Sequence, residues 1–197
     1  PADGAIIGLD DPLHHRRRSL VARRFTREAV TKWEDDVRAK VTSLLDRVER
    51  AGGQAEVVAD LAAPLPAMVI GKLLGFGEDA WPKLQSWSER TIALGGGPRY
   101  FNEDGMIAAM EFAQAASDLY DERSACPMGD VMSTWTTATI DGEPLSRDDV
   151  ISDCLLLLDG GAETMRTVIA RTLLLLIEHP GEWERLRAGA DLTVAVE

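Results

Sequence analysis

A five-residue segment, Gly160-Gly161-Ala162-Glu163-Thr164, interrupts a leucine-rich stretch with small, acidic and hydroxyl side chains. Each glycine in a helix interior costs roughly 1 kcal/mol relative to alanine, so the pair weakens any helix that contains it. The missing bulk lets a flat ligand approach the backbone, and a carboxylate beside a hydroxyl can form a short proton relay. The simpler alternative is that the glycines permit a close helix–helix contact, with Glu163 and Thr164 facing solvent or the backbone.

A second distinctive segment, residues 10–26, is basic in a chain whose formal net charge is −12. His14 and Arg18 are four residues apart, so on a helix they share one face and can bind anionic groups together. Five more arginines extend the positive charge: Arg16, Arg17, Arg23, Arg24 and Arg27. The pattern predicts either a site for an anionic partner or an ordinary solvated face.

The elements that position these residues are predicted to be helices. Apolar residues recur at spacings of three and four along most of the chain, and glycine or proline interrupts the pattern at intervals. Predicted helices cover residues 12–24, 26–51, 60–74, 79–94, 102–123, 130–137, 147–178 and 181–187, and another begins within 192–197. The only strand candidate is 55–58. We therefore predict an all-α fold with little strand, built as a single domain over residues 1–197.

The predicted helix over 147–178 carries the five-residue segment and is the longest. Ser146 and Asp149 form a capping-box pattern at its start. His179-Pro180 ends it, because the residue before a proline is disfavoured in helical geometry. At 1.5 Å per residue this helix is on the order of 45 Å long, so we expect it to cross the whole molecule.

Composition excludes several classes of protein. Cys126 and Cys154 are too few for a disulfide framework and fit a reducing cytoplasm, and the three histidines show no zinc-ligand spacing. The acidic balance disfavours a nucleic-acid-binding surface. Charged residues interrupt the leucine run, so we expect no membrane span. These residues are Asp159, Glu163, Arg166 and Arg171.

Two ordered motifs carry a resemblance to a known family. The pattern D-x-P-x-H-x-x-x-R occurs as Asp10, Pro12, His14 and Arg18, and [AG]-G-x-[DE]-T occurs as residues 160–164. The later stretch LLLLIEHPGEWERLR is similar to the junction that follows in the same family. From residue 10 onward the chain thus resembles a cytochrome P450, a haem-thiolate monooxygenase of the soluble bacterial type.

The resemblance implies haem b (iron protoporphyrin IX) as the cofactor of the complete protein. The residues that match the family's propionate-binding pair are His14 and Arg18. Gly160 and Gly161 match the family's residues that let this helix pass over the haem. The matching acid and alcohol, Glu163 and Thr164, would help to deliver protons during oxygen activation.

The resemblance also implies that one essential residue lies further along. The family continues with an E-x-x-R helix and a glycine-rich loop whose cysteine ligates the iron, and Glu197 matches the glutamate of E-x-x-R. Neither Cys126 nor Cys154 is expected to replace that cysteine. We therefore expect no metal ligand in residues 1–197 and no activity from this chain alone. Met165 also departs from the threonine or serine common at that position.

The implied substrate is apolar, with Leu157, Leu158 and Gly161 as candidate contacts. Looser candidates are Trp87, Ile92, Leu94 and Met106. The stretches LLLLDGGAETMR and GGGPRYF are similar to actinobacterial enzymes that oxidise the cholesterol side chain. Electrons would come from a ferredoxin and its NAD(P)H-dependent reductase, with the arginines of 16–27 bordering the docking face.

Two other functions are compatible with a helical chain of this size. One is a non-enzymatic helical ligand-binding regulator whose basic amino-terminal segment contacts DNA, although residues 12–50 do not resemble two short helices joined by a recognition turn. The other is a helical scaffold without a ligand, which leaves the segment 160–164 unexplained.

Overall fold

The computed structural model describes residues 4–191, and the 32-residue helix α8 (Arg147–Glu178) forms its centre. Ser146 Oγ accepts a hydrogen bond from the Asp149 backbone N–H at 3.1 Å. His179 leaves helical geometry, with φ −124° and ψ 73°, immediately before Pro180. Both ends match the sequence prediction, and at 1.5 Å per residue α8 is about 48 Å long.

The other helices within residues 4–191 are shorter. Their bounds are α1 (Leu13–Ala22), α2 (Arg27–Thr31), α3 (Glu34–Arg50), α4 (Pro64–Leu74), α5 (Trp81–Thr91), α6 (Glu103–Ala125), α7 (Val131–Thr137) and α9 (Pro180–Arg187). Single 3₁₀ turns occupy Ile6–Gly8, Arg23–Phe25, Glu78–Ala80, Ile92–Gly96 and Pro98–Tyr100. The predicted all-α class with little strand is confirmed.

The apolar core lies where α4, α5, α6 and α7 pack on α8. Phe112 of α6 is fully buried, with the Trp87 ring edge-on at 5.8 Å and the Phe76 ring at 6.1 Å between centroids. Aromatic pairs of this kind add about 0.5–1.5 kcal/mol each beyond their buried area. The core thus fixes α5 and α6 against one side of α8.

The strand prediction was wrong. Residues 55–58 do not form a strand, and the chain there enters a π-helical turn, Val58–Ala62, which packs on α4 and α8. The strands within residues 4–191 are β1 (Thr139–Ile140) and β2 (Glu143–Pro144), an antiparallel pair. Asp141 and Gly142 join them with φ of 56° and 87°, the positive values that a tight hairpin turn requires.

The single helix predicted from Thr26 onward is divided in two. Thr26 does cap a helix, because its Oγ1 accepts from the Ala29 N–H at 3.3 Å. That helix, α2, ends after five residues, and α3 starts beyond Trp33. The Lys72 ammonium of α4 lies 5.8 Å from the Trp33 ring centroid, so the interruption coincides with a contact to α4.

Two further sequence predictions concern a membrane span and the residues at 192–197. None of the helices in residues 4–191 is both long and apolar enough to cross a membrane. Glu197 and the helix predicted to begin within 192–197 lie outside the described residues.

Candidate functional site

One stripe of α8 is covered at its start and open further along. Asp153, Leu157, Gly160 and Thr164 follow one another at spacings of four, three and four, so they share a helix face. Asp153 is buried under α1, whereas Gly160 and Thr164 are exposed. A Cβ built on Gly160 would meet no atom within 4 Å. The stripe therefore continues from beneath α1 into an open strip that lacks a side chain at Gly160.

Gly161 has a different surrounding from its neighbour. A Cβ at this position would lie 3.0 Å from Ile70 Cδ1 and 3.2 Å from Ile70 Cγ1, on α4. Gly161 thus permits a close contact between α8 and α4, while Gly160 leaves open space. The close helix–helix contact is therefore found at Gly161, and the approach of a flat ligand stays a prediction for Gly160.

Thr164 lies on the open strip with its hydroxyl already engaged. Its Oγ1 donates to the Gly160 carbonyl oxygen at 2.5 Å, as expected for a threonine inside a helix. The helix nevertheless continues without a break through 160–164. Because the hydroxyl proton is used, the remaining lone pairs on Oγ1 can accept a hydrogen bond from a bound molecule.

Glu163 faces a different direction, towards α5. Its Oε2 lies 2.6 Å from Arg166 Nη2, and Arg166 Nη1 lies 3.0 Å from Glu89 Oε1 of α5. Burial raises the pKa of Glu163, while Arg166 opposes the shift. Within residues 4–191 Glu163 and Thr164 form no hydrogen bond with each other, so the predicted acid–alcohol pair shares a helix turn but not a contact.

A second carboxyl, which the sequence prediction did not include, lies one turn before Glu163. Asp159 Oδ1 is 2.9 Å from Thr91 Oγ1 of α5, and burial raises the pKa of Asp159 to about 6. The Ser88 hydroxyl of α5 is fully buried and has no hydrogen-bond partner among the described residues. The sequence signal was an aspartate directly after four leucines.

The predicted anion-binding pair lies on α1. His14 is half-buried, with its Nδ1 3.7 Å from Asp11 Oδ1. Arg18 is exposed and makes no hydrogen bond or ion pair with the described residues. The Arg18 guanidinium is therefore available for an anionic group, with His14 on the same face one turn earlier.

Two of the arginines interpreted as a continuous positive surface are engaged by contacts within the molecule. Arg17 is 4% exposed, and its Nη2 lies 2.5 Å from Asp153 Oδ2 of α8. Arg24 donates to the Gly129 and Asp130 carbonyl oxygens at 2.6 and 2.8 Å. The charge of Arg17 is therefore paired and Arg24 is half-buried, whereas Arg23 and Arg27 are exposed.

The candidate substrate contacts divide between core and surface. Leu158 is fully buried in the core, and Leu157 is half-buried against it. Trp87 is also a core residue, and its Nε1 donates to Glu111 Oε2 at 2.9 Å. Ile92 and Met106 are exposed to 44% and 42%. Leu157 is therefore the leucine best placed to reach the open strip.

A planar group with acidic substituents fits this arrangement. Gly160 leaves open space for its flat face, and the Arg18 guanidinium has no partner among the described residues, while Arg17 fastens α1 to the stripe of α8 that carries Gly160. Neither cysteine lies on that stripe. Cys154 is buried in the core, which raises the pKa of its thiol, and Cys126 lies just beyond α6.

Comparison with known proteins finds relatives that are named monooxygenases. No protein-family model matches the chain. A steroid C26-monooxygenase of Mycobacterium tuberculosis H37Rv is 34% identical over 197 aligned positions, and the alignment covers 98% of this chain and 48% of the relative. A linalool 8-monooxygenase of Pseudomonas putida is 29% identical and matches 94% of this chain and 46% of the relative. The chain thus spans about half the length of these curated relatives.

Solved structures agree with the sequence relatives. A Mycobacterium marinum cytochrome P450 in complex with pseudoionone aligns with a TM-score of 0.88 and 26% identity, over 99% of this chain and 49% of the other. A Bacillus megaterium enzyme of the same kind, in complex with testosterone, aligns with a TM-score of 0.79 and 28% identity, over 94% and 50%. The likeness extends over nearly all of the described helices.

Proposed function

We propose that this chain is part of a cytochrome P450, a haem-dependent monooxygenase acting on an apolar substrate with O₂. The observation that carries the proposal is the open strip on α8, where Gly160 leaves space and Thr164 presents a hydroxyl. The two relatives described above are both named monooxygenases, which supports the proposal.

Bound haem would supply the oxygen chemistry, and the residues of this chain would hold it and manage protons. Arg18, with His14, would bind the propionates through charge-assisted hydrogen bonds. Gly160 would admit the flat face of the macrocycle. Thr164 Oγ1 would accept a hydrogen bond on the open strip, and Glu163, whose pKa is raised by burial, would supply a proton to that side of α8.

The substrate is proposed to be apolar, with a steroid side chain as the first candidate. Several relatives are named steroid C26-monooxygenases, and another is named for the terpene linalool. Leu157 and Gly161 would contribute to its pocket from α8. Leu158 has no exposed surface, so it would shape that pocket only through its neighbours.

The electron donor is proposed to be a ferredoxin with its NAD(P)H-dependent reductase, in the cytoplasm. Exposed positive charge at Arg23 and Arg27 supports an acidic docking partner. The alternative, a DNA-contacting helical regulator, is less well supported. Arg17 and Arg24 are held by internal contacts, and α2 is too short for a recognition helix.

The proposal is tested with the complete protein, reconstituted with haem. We expect the reduced protein under carbon monoxide to show the absorption band of a thiolate-ligated haem. Arg18→Ala should weaken haem binding by roughly tenfold or more, because hydrogen bonds to charged groups contribute about 1.5–3 kcal/mol.

The matched control is Arg27→Ala, which removes an exposed arginine that we do not place at the haem. A complete protein that binds no haem, or whose haem lacks the thiolate spectrum, would contradict the proposed function. Equal haem affinity in Arg18→Ala and wild type would contradict the propionate assignment.

A further inference from the structure

A surface cavity of about 410 Å³ lies where α1, α2, α4 and α7 meet, and none of the residues that line it belongs to α8. Small-molecule sites are commonly clefts of roughly 300–1,000 Å³, so its size suits an organic ligand. Three of its lining residues are cationic: Arg23, Arg24 and Lys32. No carboxylate lines the cavity in the part of the chain that the structure describes. Its electrostatic potential therefore favours an anion.

Arg24 brings to this cavity a positive charge that no carboxylate neutralises. Its Nη1 donates to the Gly129 carbonyl oxygen at 2.6 Å, and its Nη2 donates to the Asp130 carbonyl oxygen at 2.8 Å. Nη2 also donates to Thr134 Oγ1 at 2.7 Å, while the Asp130 carboxylate is paired with Arg123. The acceptors of Arg24 are thus neutral, and Arg24 forms no ion pair within residues 4–191.

The position of the Arg24 guanidinium makes this imbalance matter. Arg24 is half-buried, and a charge that is partly removed from water is unfavourable unless a counter-charge lies beside it. The three hydrogen bonds also hold the guanidinium in one place, so it loses little freedom when an anion binds. Arg24 is therefore a fixed cation that an anionic ligand in the cavity would neutralise.

Arg23 and Lys32 add two mobile cations at the exposed edge of the cavity. The Arg23 side chain makes no hydrogen bond or ion pair with the described residues. Lys32 Nζ lies 3.5 Å from Glu28 Oε1, and both of these side chains are largely exposed. Such exposed pairs contribute little to stability, so both cations can turn towards an anion and donate charge-assisted hydrogen bonds to it.

An apolar wall completes the cavity. Leu20, Trp33 and Leu73 line it, and each of them is half-buried. The Lys72 ammonium lies 5.8 Å from the centroid of the Trp33 ring, a contact that fastens this ring to α4. A simple inorganic anion would leave the apolar wall unused. A ligand that carries both an anionic group and a flat apolar body would use the cations and the wall together.

We propose that this cavity is a binding site for a small organic acid. The carboxylate of the ligand lies against Arg24, Arg23 and Lys32, and its flat apolar body lies against Trp33 and the two leucines. A small molecule suits the cavity better than an acidic protein surface, because Arg24 and Trp33 are half-buried and a broad surface would meet only the exposed edge. The proposal goes beyond the monooxygenase function and does not depend on it.

The test is isothermal titration calorimetry of the complete protein with 1-naphthylacetate, a flat aromatic body with one carboxylate. We expect saturable binding that weakens as the salt concentration is raised, since the cations at the edge are screened. The neutral probe 2-(1-naphthyl)ethanol should bind about tenfold more weakly or worse, because it cannot form charge-assisted hydrogen bonds. The absorption spectrum of the haem, followed in parallel, should not change as the cavity fills.

Two sets of variants locate the bound acid. Arg24→Met should weaken the binding of 1-naphthylacetate about tenfold or more, because it removes the fixed cation. Since Arg24 also makes structural hydrogen bonds, the second variant is Arg23→Met/Lys32→Met, which changes only exposed side chains. It should weaken binding about tenfold as well. The matched control is Arg27→Met, an exposed arginine of the same segment that does not line the cavity, and its affinity should equal that of the wild type.

Three results would overturn the proposal. The first is the absence of saturable binding in the millimolar range. The second is equal affinity for the acid and the alcohol, or unchanged affinity in Arg23→Met/Lys32→Met. The third is a change in the haem spectrum that follows the same binding curve, which would place the acid at the haem instead. A complete protein without a haem–thiolate spectrum would contradict the proposed function, while calorimetry of the same protein still decides whether the cavity binds the acid.

Discussion

At the scale of single residues, Gly160 and Gly161 face different surroundings although they are adjacent in sequence. A Cβ at Gly160 meets nothing within 4 Å, whereas one at Gly161 would press on Ile70 at 3.0 Å. Both positions lie inside a continuous helix, where alanine is favoured over glycine by roughly 1 kcal/mol. The same substitution should therefore affect stability differently at the two positions.

Gly160→Ala should raise the free energy of unfolding of the haem-free protein by about 0.5–1 kcal/mol, because it gains helix propensity without a clash. It should also weaken haem binding at least severalfold, since the methyl group enters the open strip. Gly161→Ala should be neutral or destabilising by about 1 kcal/mol, because the Ile70 contact offsets the gain. Chemical denaturation and haem titration of both variants measure these effects.

The contrast between the two variants is the control. A destabilised Gly160→Ala would mean that the strip is not open, and undiminished haem affinity would mean that the macrocycle does not approach Gly160.

The sequence identified the residues of segment 160–164 and Asp159 only by their types. The segment 160–164 was recognised because its small and polar residues interrupt leucines, and a threonine bonding one turn back is a local effect. Asp159 was noted only as a charge within the leucine run. Its hydrogen bond is with Thr91, about 70 residues earlier in the chain, and no local pattern reveals that contact.

At the scale of elements, a buried ion pair joins α1 to α8. Arg17 Nη2 lies 2.5 Å from Asp153 Oδ2, and the two side chains are 4% and 2% exposed. Asp153 Oδ1 also accepts from the Ile6 N–H at 2.7 Å. This contact sets α1, with His14 and Arg18, beside the stripe that carries Gly160.

Removal of one partner of this pair should be costly. Arg17→Leu leaves Asp153 buried without its cation, and such changes typically lower the free energy of unfolding by about 3–5 kcal/mol. The double variant Arg17→Leu/Asp153→Leu should recover at least about 2 kcal/mol of that loss, because apolar replacement of a buried pair is often near neutral. Equilibrium denaturation of the two single variants and the double variant gives the coupling energy.

Arg16→Leu is the matched control, because that neighbouring arginine is exposed and pairs with Asp141 at the surface. It should change stability by less than about 1 kcal/mol. Additive losses in the double variant would show that the pair does not couple α1 to α8.

Element boundaries were predictable where the deciding interactions are local. The ends of α8 follow from the Ser146 cap and from His179-Pro180, both within one turn. The strand prediction for 55–58 was wrong because the chain there enters the turn Val58–Ala62, which packs on α4 and α8. The division between α2 and α3 at Trp33 likewise coincides with a contact to Lys72.

At the scale of the whole molecule, the arginines of 16–27 concentrate positive charge in one segment, although the net charge of the chain is −12. Arg23→Glu should slow reduction by an acidic ferredoxin severalfold at low salt, because it reverses an exposed charge at the proposed docking face. The difference should shrink at high ionic strength, while substrate affinity stays unchanged. Stopped-flow reduction of the complete haem-loaded protein measures this effect.

The control is Arg187→Glu, an exposed arginine on α9, which should leave the reduction rate unchanged. A reduction rate in Arg23→Glu that matches wild type at every salt concentration would remove Arg23 from the docking face.

The carboxyl-terminal half of α8 and helix α9 expose an apolar surface. Its large side chains are between 42% and 71% exposed: Met165, Val168, Leu174, Leu175, Ile177 and Trp183. Exposed apolar side chains in this number promote association of the molecules that carry them. We therefore expect the 197-residue chain, prepared by itself, to self-associate through this surface.

Leu175→Lys/Ile177→Glu should weaken that association at least fivefold while keeping the net charge at −12. The two side chains are 51% and 71% exposed, so the free energy of unfolding should change by no more than about 0.5 kcal/mol. Leu158→Ala, at a fully buried position, should instead cost about 2–5 kcal/mol. Sedimentation over a range of concentrations, with denaturation of the same samples, separates the two effects. Unchanged association in the charged variant would mean that the chains meet through another surface.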